Sequence, residues 1–345
     1  MRVLVTGGSG CIGAAVVRLL VRQGCSRAIS LARTAAQRNE AGFVATFGQE
    51  YDVDAADICD AEAVKRTIEK HRPDAIIHVA AATHVDESIS DPIHFARVNV
   101  LGTCNLLVAA KAYWERLPEA ERRHFRFYHV STDEVYGPVA SDELVAEGAP
   151  YRPSSPYAAS KASADLMVRS WHQTYGLPTL ISNGCNAFGP MQHPSKFIPK
   201  MIINGLCGID LPVYGSGEHT RNWMSVDDHA RGILAVLARG RPGGQYNLES
   251  GQERRNIDVV REICQILEEE VPDLPVRPVE TLIRFVPNRP GHDLRYGLNQ
   301  DKMRTDLQWK PRRSFSGALR DTVRWYVDHR EWWQSKLSPQ PELLP

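Results

Sequence analysis

The chain predicts an α/β fold: a doubly wound parallel sheet with a smaller, interwoven C-terminal lobe. Short β-like runs alternate with longer helical ones through the first half. The first of these runs leads into a glycine-rich turn that opens a helix. Beyond about residue 186 the alternation gives way to prolines and glycines. Taken together these features describe a Rossmann-like sheet to which a second, irregular lobe is attached.

RVLVT (2–6) reads as the first strand and 11–23 as the helix behind it; AISLA (28–32) is the second strand. AEAVKRTIEKH (61–71) has helical spacing, DAIIHVAA (74–81) is a strand, and VNVLGTCNLLVAAKAYW (98–114) a helix. FRFYHVST (125–132) is a buried strand, and a helix follows over 156–175. Pro190, Pro194, Pro199 and Pro212, with Gly189, Gly205, Gly208, Gly215 and Gly217, mark irregular structure, interrupted by a helical DDHARGILAVLARG (227–240). This pattern assigns residues 1–185 and 224–248 to a sheet domain, 186–223 and 249–335 to the second lobe, and 336–345 to a frayed tail.

Lys+Arg and Asp+Glu number 41 each among 345 residues, so no global charge draws nucleic acid or an anionic membrane, and any anion site must be local. Cys11, Cys25, Cys59, Cys104, Cys185, Cys207 and Cys264 are odd in number, scattered and free of a CxxC pair. That pattern predicts neither a disulfide framework nor a metal site and fits a reducing cytoplasm. No stretch of about 18 apolar residues is expected to span a membrane. Glycines interrupt the apolar N-terminus too early for a secretory signal, so the expected location is cytoplasmic.

Gly7-Gly8-Ser9-Gly10-Cys11-Ile12-Gly13 lies between a strand and a helix. Glycines there permit a tight turn and let a pyrophosphate approach unpaired N–H groups at the helix N-terminus, which makes the sheet domain a dinucleotide-binding domain. An acid for the adenosine ribose is expected at the end of the second strand. The sequence has Ala32-Arg33 instead, so NADP stands beside NAD as a candidate cofactor, although an arginine there is equally a solvated surface residue. Asp57 and Ile58 follow the third strand, where an Asp is more often a helix cap.

Tyr157 and Lys161 are four residues apart, which on a helix stacks them on one face. An ammonium so placed is expected to lower the phenol's pKa. Asp133 and Glu134 in VSTDEVYG fall where a strand leaves the sheet, at the carboxyl edge where such folds bind ligands. In extended backbone their side chains point to opposite faces, so both meet one substrate only if the strand is already turning into a loop. The plainer alternative is that one acid caps the next turn and the other is solvated.

Over nearly its whole length the sequence resembles the extended short-chain dehydrogenase/reductase family, and within it the nucleotide-sugar 4,6-dehydratases. VTGGSGCIG, with its GxxGxxG spacing, HVAAATHVDESI, NVLGT, FRFYHVSTDEVYG, SSPYAASKAS, LPVYGSG, RNWMSVDDHARGI and NRPGHDLRY carry the likeness in order. The resemblance implies a catalytic set of Thr132, Asp133, Glu134, Tyr157 and Lys161. It implies cofactor contacts from Gly7, Gly10, Cys11, Ile12, Gly13, Arg33, Asp57, Ile58, Ala80, Ala81, Asn99, Tyr157 and Lys161. His84, Asn186, Lys196, Asn204, Tyr214, Arg221, Asn247, Arg289 and Tyr296 match positions that hold the nucleotide sugar. The implied reaction oxidises C4 of the hexose through NAD, eliminates water across C5–C6 and returns hydride to C6, most simply on dTDP-glucose.

Departures from the family pattern cluster around the sugar: Ala82 replaces an acid, Glu87 a base, and Cys185, Ala187 and Phe188 stand for Ser, Asn and Tyr, while Ser195 stands where an acid is usual. They bear on which sugar or base is held more than on the reaction. A 4-epimerase or decarboxylase of the same superfamily would use Tyr157 and Lys161 without the acidic pair. A non-catalytic nucleotide-binding regulator is the reading from another class. The resemblance also implies a homodimer through the helices near 97–114 and 156–175.

Overall fold

The computed structural model describes residues 1–24, 27–33 and 51–337; Cys25 and tail residues 338–345 lie outside the described residues. The strands are β1 (Arg2–Thr6), β2 (Arg27–Ala32), β3 (Asp52–Ala55), β4 (Ala75–His78), β5 (Arg126–Thr132), β6 (Thr179–Gly184), β7 (Asn186–Phe188), β8 (Leu211–Tyr214), β9 (Thr220–Ser225), β10 (Gln245–Leu248), β11 (Glu253–Arg255) and β12 (Ile283–Val286). Seven of them form one sheet in the order β10-β6-β5-β4-β1-β2-β3. All its pairings are parallel. The chain starts in the middle, winds outward to β3, then crosses back to β4 and on to β10, and the reversal between β1 and β4 opens a crevice at the carboxyl edge.

Parallel strands covered on both faces are apolar throughout, and β1, β4 and β6 are buried almost end to end. One face packs on helices Cys11–Arg22 and Val226–Arg239, through Val16, Val17 and Leu20 of the first and Ala230, Ile233 and Leu237 of the second. The other is covered by Ala61–His71, Gly102–Glu115 and Pro156–Tyr175, with Val64, Ile68, Leu106, Leu107 and Val168 facing inward. Caps fix these helices: Asp60 accepts from the Ala63 amide, Ser155 from the Ala158 amide with Pro156 in the first turn, and Gly176 ends the long helix at φ 72.

β6 runs directly into β7, which leaves the main sheet to pair with β9, and β9 in turn pairs with β11. β8 and β12 form a separate parallel pair. Around them a second core collects Ile202, Trp223, Ile263, Leu319 and Tyr326. The stretch 301–309, expected in this second lobe, packs instead in the first core, where Met303, Leu307 and Trp309 join Ala230 and Leu248.

A second correction concerns the membrane expectation. The helical run Pro92–Glu115 is 24 residues long and contains an 18-residue window of mean hydropathy 1.3, long and apolar enough to cross a membrane by length and composition. A π-helical turn, Ala96–Leu101, joins two shorter helices into that one run, and in the sequence His94, Arg97, Asn99 and Asn105 interrupt its apolar residues. The run carries buried polar side chains that bind the rest of the fold. Asn99 donates to Ser160 Oγ at 2.8 Å, and Thr103 Oγ1 lies 2.9 Å from His78 Nε2.

Candidate active site

The site begins where β5 ends. Thr132 is in extended conformation and caps a 3₁₀ turn, Asp133–Tyr136, its Oγ1 accepting from the Glu134 amide at 3.3 Å. This turn is the departure from extended backbone that the sequence required for Asp133 and Glu134 to share a surface. Asp133 is buried and accepts a 3.1 Å hydrogen bond from Thr132 Oγ1. Burial, then the charges of Glu134 and Glu249, hold the Asp133 carboxyl well above the ordinary carboxylate range. Burial also raises Glu134, but Arg221, Arg289 and Lys196 pull it back. Both neighbours are raised, Asp133 the further, and the cations that restrain Glu134 are what separates the two.

Tyr157 and Lys161 lie on the inner face of helix Pro156–Tyr175, both buried. The phenol bonds to Thr132, while burial and the Glu134 and Asp133 carboxylates raise its pKa. The expectation that Lys161 lowers that pKa is not met. The ammonium donates to the Val130 carbonyl at 2.9 Å and stands 3.3 Å from His129 Nε2, and burial brings Lys161 itself down to about 8.

Beneath the pair runs a polar network that the sequence reading did not single out. Asp165 accepts from Tyr151 Oη at 2.8 Å and from Asn183 Nδ2 at 3.0 Å, and its other oxygen lies 3.3 Å from His129 Nε2. Burial lowers His129 to about 4, so it stays neutral at physiological pH and the contact is not an ion pair. A polar run at 128–131 inside a buried strand was the available signal.

The glycine turn fits a dinucleotide. Gly7 has φ +67, and a Cβ there would lie 2.9 Å from the Ala80 Cα; one on Gly13 would come within 2.1 Å of the Gly7 carbonyl oxygen. Only glycine permits this approach. Gly10 caps the following helix without a side-chain bond, and the first bond within that helix runs from the Ala14 amide, which leaves the preceding amides directed out of the N-terminus. Cys11 turns its thiol toward the Pro190 carbonyl at 3.7 Å, and Ile12 packs against the first core.

Asp57 is exposed and accepts from the Cys59 amide at 2.8 Å, Ile58 is a core side chain, and Arg33 is exposed. Ala80 and Ala81 line the carboxyl end of β4, where the Ala80 amide donates to Thr6 Oγ1 at 3.1 Å. Asn99 holds that segment: it accepts from the Ala82 amide and donates to the Ala82 carbonyl and Ser160, so both its amide hydrogens are spent on the protein.

Across the crevice Arg221 is buried and donates to the carbonyls of Thr220, Asp293 and Leu294, its guanidinium 4.5 Å over the Tyr296 ring. Arg289 reaches Asp86 at 3.8 Å and keeps a buried Nε without a partner. Lys196 donates to the Thr83 carbonyl at 2.7 Å, and His84 beside it is lowered by burial and by Lys196. Tyr214 bonds Asp86 at 3.5 Å, Tyr296 bonds Asp293 at 2.9 Å, and Asn186 is half-buried on β7.

Two residues expected in the nucleotide-diphosphate shell bond to the protein itself. Asn204 donates to the Asp210 carbonyl at 2.7 Å and so ties its helix to the next loop. Asn247 is buried between Tyr136 Oη and the Val145 carbonyl. Among the departures, Phe188 and Cys185 are buried, Glu87 is exposed 4.0 Å from His84, and Ser195 Oγ lies 2.8 Å from His193 Nδ1. No group of three or more metal-ligating side chains occurs among the described residues.

The family profile described as GDP-mannose 4,6 dehydratase matches residues 4–322. A dTDP-glucose 4,6-dehydratase of Neisseria meningitidis serogroup B is 46% identical over 341 residues, covering 98% of this chain and 96% of its own. The crystal structure of the dTDP-glucose 4,6-dehydratase DesIV from Streptomyces venezuelae, with NAD bound, superposes with a TM-score of 0.87 at 39% identity, over 97% of this chain and all of that one. A UDP-glucose 4-epimerase from Thermotoga maritima follows at 25% identity and a TM-score of 0.81, over 95% of this chain and 99% of its own. With the glycine turn and the acidic turn at the carboxyl edge of one parallel sheet and the phenol–ammonium helix packed against it, the chain belongs to the extended short-chain dehydrogenase/reductase family, in the group that the GDP-mannose 4,6 dehydratase profile describes.

Proposed function

We infer that the protein is an NAD-dependent nucleotide-sugar 4,6-dehydratase that converts dTDP-glucose to dTDP-4-keto-6-deoxyglucose. The observation that carries this reading is the pair on the 3₁₀ turn: a buried Asp133 carboxyl raised well above the ordinary carboxylate range, next to a Glu134 whose rise by burial Arg221, Arg289 and Lys196 oppose. A 4-epimerase has no use for such a pair, and the epimerase neighbour is the more distant of the relatives compared.

The glycine turn and the Cys11–Gly13 amides would hold the pyrophosphate of NAD, with Asp57 and the Ile58 backbone toward the adenine. When bound, NAD supplies a reversible hydride acceptor and a positive charge. Tyr157 Oη, beside Thr132, would take the proton of the C4 hydroxyl as the phenolate, a form that burial opposes in the free protein and that the positive charge of bound NAD would favour, with Lys161 on the same helix face adding positive charge below its pKa of about 8. Glu134 takes the C5 proton, made acidic by the neighbouring ketone. Asp133 gives its proton to the C6 hydroxyl, which leaves as water, after which C6 receives the hydride first removed from C4 and C5 regains a proton from Glu134. Arg289, whose buried Nε has no partner among the described residues, and Lys196 would take the diphosphate, since a guanidinium can bind phosphate oxygens through two donors.

His84, Asn186, Tyr214, Arg221 and Tyr296 complete the wall around the nucleotide sugar. NAD rather than NADP agrees with the solved Streptomyces relative, and Arg33 is then a surface residue. We further propose a cytoplasmic homodimer joined through Ile93, Leu101 and Val108 of one helical run and Leu166 of the next, all exposed. Light scattering at twice the 38.6 kDa chain mass supports it and a monomer mass refutes it.

The deciding test is incubation of purified protein with dTDP-glucose. The expected product has lost one water by mass and develops the ultraviolet absorbance of a 4-keto-6-deoxy sugar in alkali. Formation of dTDP-galactose instead would overturn the reading.

A further inference from the structure

Three parallel strands end level at the carboxyl edge. Thr132 on β5 pairs in register with Gly184 on β6, and Gly184 pairs with Leu248 on β10. The next residues, Asp133, Cys185 and Glu249, therefore stand in a row, with the Cys185 amide bonded to the Leu248 carbonyl at 3.0 Å. All three are buried, Glu249 at 3% exposure. The Ser250 amide donates to Glu249 Oε1 at 2.7 Å, whereas Oε2 is buried with no hydrogen-bond partner among the described residues. A buried carboxyl oxygen without a partner needs a reason, and nothing in the proposed reaction yet uses it.

We propose that Glu249 is a positioning residue for proton delivery: its carboxyl, two strands from Asp133 across Cys185, keeps the Asp133 carboxyl protonated for the departing hydroxyl. The inference rests on the dehydratase reading and adds a residue to it.

The groups facing Asp133 are Thr132 on β5, Glu134 on the 3₁₀ turn, Tyr157 on its helix, the Cys185 thiol after β6, Arg221 on β9, Tyr296 beyond β12, and Glu249. Of these Arg221 is the cation, and it lowers Asp133. Glu249 faces the Cys185 thiol, Asp133 and the amides of Ser250, Gly251 and Leu298, and burial pushes it up to about 7. Once Glu249 ionises, its negative charge opposes ionisation of Asp133, so Asp133 retains its proton to higher pH. Two strand spacings amount to roughly 10 Å, at which one charge in a partly screened interior shifts a neighbour by on the order of one pH unit.

The test compares pH profiles of product formation for the parent, Glu249→Gln and Glu249→Asp. The amide removes the charge, so the alkaline limb of kcat is expected to fall by about one pH unit, with KM for dTDP-glucose unchanged and the limb restored by aspartate. An unmoved alkaline limb in a folded Glu249→Gln protein overturns the proposal and leaves the dehydratase reading standing. Failure of the parent to form keto product at any pH overturns both. Infrared titration of the unmodified protein decides independently if the glutamine variant does not fold. The Asp133 carboxyl stretch, assigned by its loss in Asp133→Asn, should persist above the pH at which Glu249 ionises; its earlier disappearance overturns the proposal.

Discussion

The two walls of the crevice are built by different means. On the sheet side the groups proposed to react sit on regular elements: Thr132 closes β5, Asp133 and Glu134 occupy one 3₁₀ turn, and Tyr157 lies in the first turn of a helix capped by Ser155, with Lys161 one turn further along it. On the lobe side the cations come from short strands and loops. Arg221 spends its guanidinium on three backbone carbonyls, and Arg289 is held by a single 3.8 Å approach to Asp86. The contrast assigns chemistry to the rigid wall and binding to the adaptable one, so substitutions on the first should strike kcat and on the second KM.

Tyr157→Phe probes the rigid wall at its most demanding point. It removes the proton acceptor at C4, and kcat for keto product is expected to drop by roughly 10²–10⁴ with KM little changed. Gly13→Ala comes next. Its added Cβ would meet the Gly7 carbonyl oxygen at 2.1 Å, so the turn must open, and purified protein should lose its bound nicotinamide and melt earlier by several kcal/mol equivalents, on the order of the largest single-site effects. Retention of cofactor by this variant would remove the glycine turn from the site.

On the adaptable wall, Arg289→Met is expected to raise KM about tenfold, the scale of one charge-assisted hydrogen bond, while kcat at neutral pH stays near the parent's. Arg289 also helps hold Glu134 down, and Glu134 must be ionised to act as base. Without that cation Glu134 titrates higher, so the acid limb of the pH profile should move upward; a limb that stays put would separate Arg289 from Glu134. Asn204→Ala is the smallest perturbation. It breaks one exposed bond to the Asp210 carbonyl, so a stability loss of about 1 kcal/mol and a KM within about threefold of the parent's are expected. A large KM change there would place Asn204 at the substrate after all.

The same contrast explains what the sequence could reveal. The helix Ala61–His71 was readable to the residue because its spacing, its Asp60 cap and its basic last turn are all local signals. The turn at Asp133 was readable because two adjacent acids can meet one substrate only if the strand bends. Side-chain destinations set by distant neighbours were not readable. Asn247 bonds residues more than a hundred positions away, Lys161 prefers the Val130 carbonyl over its phenol neighbour, and Asn99 serves Ala82 and Ser160. Glu249 gave no signal either, because its place beside Asp133 comes from strand register across β6.

The central claim is that two adjacent carboxyls divide the elimination, Asp133 as acid and Glu134 as base, after oxidation at C4. Rapid mixing of Asp133→Asn and Glu134→Gln with dTDP-glucose tests it most directly, following reduced-nicotinamide absorbance and dehydrated product together. The predicted result is that absorbance still rises in both variants while dehydrated product falls by roughly 10²–10⁴. Dehydrated product at the parental rate in either variant would contradict the assignment.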